Sequence, residues 1–157
     1  MNPLYEALAS RRMFVLYKLV PLASGGTDKV PINPATGENS NAQDSATWML
    51  SAVAVGYAAL YGTGYGVGIV IHEGSQLFCV DIDGAVAVDG TLSDIARKLV
   101  AEFAGCYIEC SQSGKGLHII GSYTGDPPTH GTKNKEHHIE LYTSKRFIAL
   151  TGNLYRA

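Results

Sequence analysis

Cysteine is scarce in this sequence, and long hydrophobic runs are missing from it. The three cysteines, at positions 79, 106 and 110, are odd in number and form no disulfide framework, which is typical of a protein kept in a reducing cytoplasm. No apolar run reaches the roughly 20 residues that a membrane-spanning helix needs, and the first residues lack the layout of a signal peptide. The sequence therefore predicts a soluble, cytoplasmic protein with no membrane association.

Excess positive charge is also lacking. Twelve lysines and arginines stand against 14 aspartates and glutamates, which gives a formal net charge of -2. The chain thus has no general positive field to attract nucleic acid, and any such contact is expected to be local, weak and sensitive to salt. A hydrophobic share of 46% is enough for a core, and no repeat or low-complexity tract divides the chain. One domain over residues 1–157 is expected.

The apolar periodicity predicts an α+β fold. Two hairpins are expected, one from strands 67–71 and 77–82 and one from strands 106–110 and 117–120. Residues 62–68 are rich in glycine and lie between a predicted helix and the first of these strands. A dinucleotide-binding loop needs the opposite order, a strand before it and a helix after it, so this stretch is interpreted as a flexible connection. The remaining predicted elements are helices at 3–10, 45–60 and 92–103, a loop at 21–43 that contains Lys29, and strands at 13–17, 138–142 and 146–151.

An apolar run ends in two carboxylates within Phe78-Cys79-Val80-Asp81-Ile82-Asp83-Gly84. Side chains at i and i+2 leave a strand on the same face, so Asp81 and Asp83 are predicted to point together, away from the core. Such a pair is stable when a cation neutralises it or one carboxyl group stays protonated, and hard ions such as Mg²⁺ prefer carboxylate oxygens. We therefore predict a divalent metal site at this strand end. An exposed strand end that leads into a turn is the alternative.

A second candidate site is the predicted hairpin turn Ser111-Gln112-Ser113-Gly114-Lys115-Gly116, which is followed by His118. Small hydroxyl residues and glycines let backbone N–H groups approach an anion, and Lys115 adds positive charge. A Walker loop is excluded by the spacing of the glycines, and a mobile hairpin turn is the structural alternative. His118 and, on a later strand, Glu140 alternate with apolar neighbours as Asp81 does. This pattern predicts a sheet with one apolar face and one polar working face.

Four segments, named at the end of this paragraph in chain order, carry a resemblance to a known family. The sequence is similar over nearly its whole length to the primase-polymerase domains of the archaeo-eukaryotic primase superfamily, above all those encoded by phages, plasmids and prophages. The serine, glycine, lysine and histidine segment is the specific part of this resemblance, whereas the paired aspartates alone are not specific. The segments are Lys29-Val30-Pro31, Val80-Asp81-Ile82-Asp83, the run from Ser111 to His118, and Glu140-Leu141-Tyr142 with Arg146-Phe147-Ile148.

The resemblance implies a mostly antiparallel sheet related to the RNA-recognition motif, RRM-like, with helices on one face and fused to a small N-terminal αβ unit. It implies a nucleotidyltransferase, a DNA primase and DNA polymerase that adds (d)NTPs to a 3′-hydroxyl on a single-stranded or primed DNA template. A helicase domain or another replication protein is the implied partner, in phage or plasmid DNA replication.

The resemblance also implies roles for individual residues. Asp81, Asp83 and Glu140 would bind two Mg²⁺ or Mn²⁺ ions, with Asp126 and Glu109 as alternatives for the third carboxylate. Lys29 would contact the template, and the triphosphate would be held by Ser111, Ser113, Gly114, Lys115, Gly116, His118 and Arg146.

Two other functions stay open. The run Val80-Asp81-Ile82-Asp83-Gly84-Ala85-Val86 also resembles the first motif of haloacid-dehalogenase-like phosphatases, in which the first aspartate attacks phosphate, although the later acidic pair of that family is missing here. A non-catalytic module that binds single-stranded DNA by stacking on aromatic residues is the third possibility, and it leaves the aspartate pair unexplained.

The last predicted strand lies close to residue 157. We therefore expect these residues to extend primers better than they start them, because initiation without a primer duplex costs additional ordering entropy. The family resemblance implies that the sequence is part of a longer replication protein.

Overall fold

The computed structural model describes residues 2–156 and confirms the predicted α+β class. Its helices are few and short, and its strands pair in two antiparallel sheets. The helices are α1 (Pro3–Ala7), α2 (Ser51–Tyr61) and α3 (Asp94–Glu102), and the strands are β1 (Phe14–Pro21), β2 (Thr27–Ile32), β3 (Tyr65–Ile71), β4 (Leu77–Ile82), β5 (Tyr107–Cys110), β6 (Leu117–Ser122), β7 (Lys133–Asn134), β8 (Ile139–Tyr142) and β9 (Arg146–Ala149).

The chain divides into two compact units. The first contains residues 2–70 and Arg146–Leu150, and the second contains Ile71–Lys145 and residues 151–156. Each unit has one sheet, with strand order β2-β1-β3-β9 in the first and β5-β6-β4-β8-β7 in the second. The last strand, β9, therefore returns to the unit in which the chain begins.

The predicted hairpin between β3 and β4 is wrong. β3 lies between β1 and β9, so both of its edges are already paired, and β4 belongs to the other sheet, between β6 and β8. The apolar patterns of the two strands are alike, and such a pattern does not specify which edge a strand joins.

The interpretation of residues 62–68 as a flexible connection is also wrong in its second half. Gly66 and Gly68 lie within β3, and aromatic rings cover them. A Cβ atom on Gly66 would come within 2.5 Å of the Tyr17 ring, and one on Gly68 would meet the ring of Phe147. These glycines make room for aromatic side chains in the first unit. The predicted loop at 21–43 likewise contains a strand, β2, which pairs with β1.

The core of the second unit lies between α3 and one face of its sheet. Ser93 caps α3 by accepting a hydrogen bond from the N–H of Ala96 at 3.3 Å. The buried residues of this core are Val80, Ile82, Ala85, Ala96, Leu117 and Ile119. Because side chains alternate along a strand, the residues between these apolar positions on β4 and β6 point to the opposite face. None of the helices within residues 2–156 is long and apolar enough to cross a membrane.

Candidate active site

Five ionisable residues form a continuous row across the second sheet. Cross-strand register pairs Glu109 with His118, His118 with Asp81, Asp81 with Glu140, and Glu140 with Lys133. Directly paired residues on neighbouring strands point to the same face, so all five side chains share the face opposite the α3 core. We call this set the polar row. The sequence pattern predicted the central members Asp81, His118 and Glu140.

The two aspartates lie at the end of β4 in different local structures. Asp81 is within the strand, and its side chain is 18% exposed. β4 ends at Ile82, so Asp83 begins the following turn, where its N–H donates a hydrogen bond to the carbonyl oxygen of His138 at 3.0 Å. Gly84, with a φ of 63°, lets the chain turn directly after it. Asp81 is thus held by β4, and the backbone of Asp83 is held by the residue that precedes β8.

Both carboxylate oxygens of Glu140 are bonded within the β7–β8 hairpin. Lys133 Nζ lies 2.5 Å from Oε1, and the Tyr142 hydroxyl donates to Oε2. The Glu140 side chain is 17% exposed. Lys133 was not singled out as a site residue from the sequence, because β7 is only two residues long and lies in a polar stretch without alternation.

Glu109 and His118 form a buried pair. His118 Nδ1 lies 3.0 Å from Glu109 Oε1, and His118 Nε2 lies 3.9 Å from Asp81 Oδ1. Burial by itself would raise the pKa of Glu109, but hydrogen bonds from His118 and Tyr107 outweigh it and hold the pKa below its ordinary value of 4.5. Glu109 thus favours its ionised form while fully buried.

Every oxygen of Glu109 is engaged. The Tyr107 hydroxyl donates to Oε2 at 2.7 Å, the N–H of Gly152 donates to Oε2 at 2.8 Å, and the N–H of Thr151 lies 3.1 Å from both oxygens. The alternative use of Glu109 as a third metal ligand therefore lacks oxygen sites. The other alternative, Asp126, lies beyond the opposite end of β6 from His118, where it lines a separate pocket of about 460 Å³.

The turn between β5 and β6, residues 111–116, is tied to the aspartate end of β4. A Cβ atom on Gly116 would lie 3.0 Å from the carbonyl oxygen of Ile82, so only glycine fits there without a shift. The carbonyl oxygen of Lys115 accepts a hydrogen bond from the N–H of Val86 at 2.9 Å. The turn is thereby held beside the segment that carries Asp81 and Asp83.

Much of the backbone of this turn is already hydrogen-bonded internally. Ser111 Oγ accepts from the N–H of Gly116 at 3.0 Å, and Ser113 Oγ accepts from the N–H of Lys115 at 3.3 Å. The N–H of Gly114 donates to the carbonyl oxygen of Ser111 at 2.9 Å. The turn is therefore ordered by its own serines, and Lys115 is exposed on it.

Lys29 and Arg146 belong to the first unit. Lys29 lies on β2 opposite Leu19, and Arg146 is exposed at the start of β9. The other candidate residues lie in the second unit.

The donor set suits a hard divalent cation. Within residues 2–156 no group of three or more His, Cys, Asp or Glu side chains is arranged to hold a metal ion by itself. Mg²⁺ in nucleotide-dependent enzymes is commonly bound by one or two carboxylates, with substrate phosphates and water completing its octahedron. Asp81 and Asp83 supply two carboxylates of this kind, so the residues present fit such an ion when a nucleotide accompanies it.

Comparison with known proteins adds independent information. No family model matches the sequence. The chain is 28% identical over 156 residues to a protein named DNA Primase-polymerase from Nitratiruptor phage NrS-1, a match that covers 98% of this chain and 21% of the relative. The chain thus spans about a fifth of the length of that protein. Over its whole length, this chain is distantly related to a phage primase-polymerase.

Proposed function

We propose that this chain is a template-directed nucleotidyltransferase, a DNA primase and DNA polymerase that transfers a nucleotide from a (d)NTP to a 3′-hydroxyl. The observation that carries the proposal is the polar row, with the ordered turn 111–116 beside the segment of Asp81 and Asp83. Nucleotidyl transfer requires positioning and charge stabilisation more than covalent chemistry from the protein. Carboxylates next to a lysine-bearing turn supply both requirements.

Asp81, Asp83 and Glu140 are assigned to the metal site. Bound Mg²⁺ or Mn²⁺ supplies charge stabilisation of the attacking and leaving oxygens in this class of reaction. Asp81 and Asp83 provide the carboxylates at the end of β4. Glu140 takes part when Lys133 and Tyr142 release an oxygen, and until then these two side chains hold it in position opposite Asp81.

The turn 111–116 and His118 are assigned to the triphosphate. Lys115 is exposed on a turn that is anchored to Ile82 and Val86, so its charge is available next to the aspartates. His118 adds a ring nitrogen on the same face as Asp81. Arg146 is proposed as a further phosphate contact and Lys29 as a template contact, and both proposals rest on the motif resemblance.

The proposed partners follow from this reaction. They are (d)NTPs and single-stranded or primed DNA, with a helicase domain or another replication protein acting in the same process. We propose phage or plasmid DNA replication in the cytoplasm of a host cell as the setting, since the relative is a phage protein.

The decisive experiment is incubation of the chain with labelled nucleotides and a primed template in Mg²⁺ or Mn²⁺. We expect template-dependent primer extension that EDTA abolishes. Release of phosphate from small phosphate esters without extension would instead support the haloacid-dehalogenase-like alternative. Binding of single strands with neither activity would support the non-catalytic module.

A further inference from the structure

Glu109 is a buried carboxylate that the proposed reaction leaves unused. It is 0% exposed, and among the acidic, basic and histidine side chains of residues 2–156 only its partner His118, at 9%, is also buried. A buried charge is retained at a cost in desolvation, which the four donor groups around Glu109 offset. Two of these groups, the N–H groups of Thr151 and Gly152, hold the segment after β9 against β5, and a third, the Tyr107 hydroxyl, lies on β5 itself. The fourth is the imidazole that faces Asp81.

The bond between Glu109 and His118 determines which ring nitrogen carries hydrogen. An ionised carboxylate only accepts hydrogen bonds, and the oxygens of Glu109 already accept from backbone N–H groups, Oε1 from Thr151 and Oε2 from Thr151 and Gly152. His118 Nδ1 must therefore be the donor in its 3.0 Å contact with Glu109 Oε1. That leaves Nε2, which lies 3.9 Å from Asp81 Oδ1, as the nitrogen turned away from Glu109.

We propose that Glu109 is a positioning residue for nucleotide binding: by accepting the Nδ1 hydrogen of His118, it fixes the imidazole so that Nε2 faces the triphosphate. This inference rests on the proposed function, because it takes His118 as a nucleotide contact. Outer partners that hold a ligating histidine in this way are known to matter for function in metal sites, where their loss typically costs about 10- to 100-fold.

A double-mutant cycle separates positioning from a purely structural role. Glu109→Met keeps the length of the side chain but removes the acceptor, and His118→Ala removes the ring through which Glu109 is proposed to act. We expect Glu109→Met to raise the KM for the incoming nucleotide by about tenfold and to change kcat much less. In the His118→Ala background the same substitution should change KM by less than about twofold.

Tyr107→Phe is the matched control. It removes the other side-chain donor to Glu109 and leaves the contact with His118 in place, so its KM should stay close to that of the wild type. Thermal unfolding of each variant identifies loss of fold. Equal KM effects of Glu109→Met with and without His118 would overturn the proposal.

Nitrogen-15 NMR of the wild-type imidazole tests the geometry without any measurement of activity. We expect the His118 signals, assigned by their loss in His118→Ala, to report hydrogen on Nδ1. Hydrogen on Nε2 alone would overturn the proposal. Absence of nucleotide incorporation by the wild type would reject the proposed function, and with it the triphosphate as the group that Nε2 faces. The NMR signals would still decide whether Glu109 holds the ring.

Discussion

At the scale of single residues, Asp81 and Glu109 flank His118 on the two neighbouring strands but differ in exposure and in hydrogen bonding. Glu109 is fully buried, and the donors around it already use its oxygens. Asp81 keeps 18% of its side chain exposed at the end of β4. Of the two carboxylates that flank His118, only the partly exposed Asp81 can be reached by an incoming ligand.

Replacing Asp81 with Asn should remove nucleotide incorporation without unfolding the chain. Loss of a metal-binding carboxylate costs several kcal/mol of transition-state stabilisation, so we expect a rate decrease of at least about 100-fold in primer extension. The melting temperature should be unchanged or higher, because one negative charge leaves the row. Asp83→Asn should behave in the same way.

The control for both variants is Asp89→Asn. Asp89 is an exposed carboxylate that accepts hydrogen bonds from the hydroxyl and the N–H of Thr91, at 2.7 and 3.0 Å. It should retain wild-type extension. Wild-type rates in Asp81→Asn would reject the metal assignment.

The lowered pKa of Glu109 makes stability depend on pH. A carboxyl group whose pKa is lower in the folded state stabilises the fold above its unfolded value, ordinarily 4.5, and this contribution is lost as pH falls through the folded pKa. The melting temperature of the wild type should therefore exceed that of Glu109→Gln most above pH 4.5, and the difference should shrink at more acidic pH. Melting curves at intervals from neutral pH to about pH 3 measure this, and a difference that grows with acidity would contradict the prediction.

At the scale of elements, glycines decide how closely the segments around the site approach. Gly116 in the turn 111–116 lies against the last residue of β4. In the first unit, Gly66 and Gly68 of β3 likewise lie directly against aromatic rings, those of Tyr17 and Phe147. In each case the missing side chain is replaced by a group from another element, so the glycine is required by packing.

Gly116→Ala should both destabilise the fold and reduce incorporation. Its Cβ would lie 2.9 Å from Ser111 Oγ and 3.0 Å from the carbonyl oxygen of Ile82, which displaces the turn from β4. Overpacking of this kind costs about 1–3 kcal/mol, which urea unfolding can measure. Gly131→Ala is the control, since no atom lies within 4 Å of the added Cβ, and its stability should stay within about 0.5 kcal/mol of the wild type.

Gly56→Ala should stabilise the protein. Gly56 lies inside α2, and nothing lies within 4 Å of an added Cβ, so the substitution gains helix propensity of about 0.5–1 kcal/mol without a clash. Gly105→Ala is a matched comparison with equally open space but a φ of 94°, and it should destabilise. Equal effects of the two substitutions on the melting temperature would show that backbone conformation does not decide the outcome.

At the scale of the whole molecule, the net charge of -2 limits binding of nucleic acid. Without a general positive field, affinity for random single-stranded DNA depends on a few local lysines and arginines. We expect a Kd weaker than about 1 μM at physiological salt, tightening as salt is lowered. Fluorescence anisotropy of a labelled oligonucleotide at about 50 and 200 mM salt measures both properties. Submicromolar binding at the higher concentration would contradict the prediction.

The local pattern of the sequence predicted much of the second unit correctly. β4, β6 and α3 were all expected, because each carries a clear apolar period. Asp81, His118 and Glu140 were expected on one face, and the cross-strand register pairs His118 and Glu140 directly with Asp81.

Patterns within a few neighbouring residues were enough to predict the α+β class, the strands that carry the candidate site, and the serine- and glycine-rich turn with its lysine. Tertiary structure decided what depends on pairing between distant segments. It placed β3 between β1 and β9, and it paired β4 with both β6 and β8, which set His118 and Glu140 directly opposite Asp81. The physical reason is that side-chain alternation assigns residues to faces, whereas strand order and register depend on which edges meet in the folded chain.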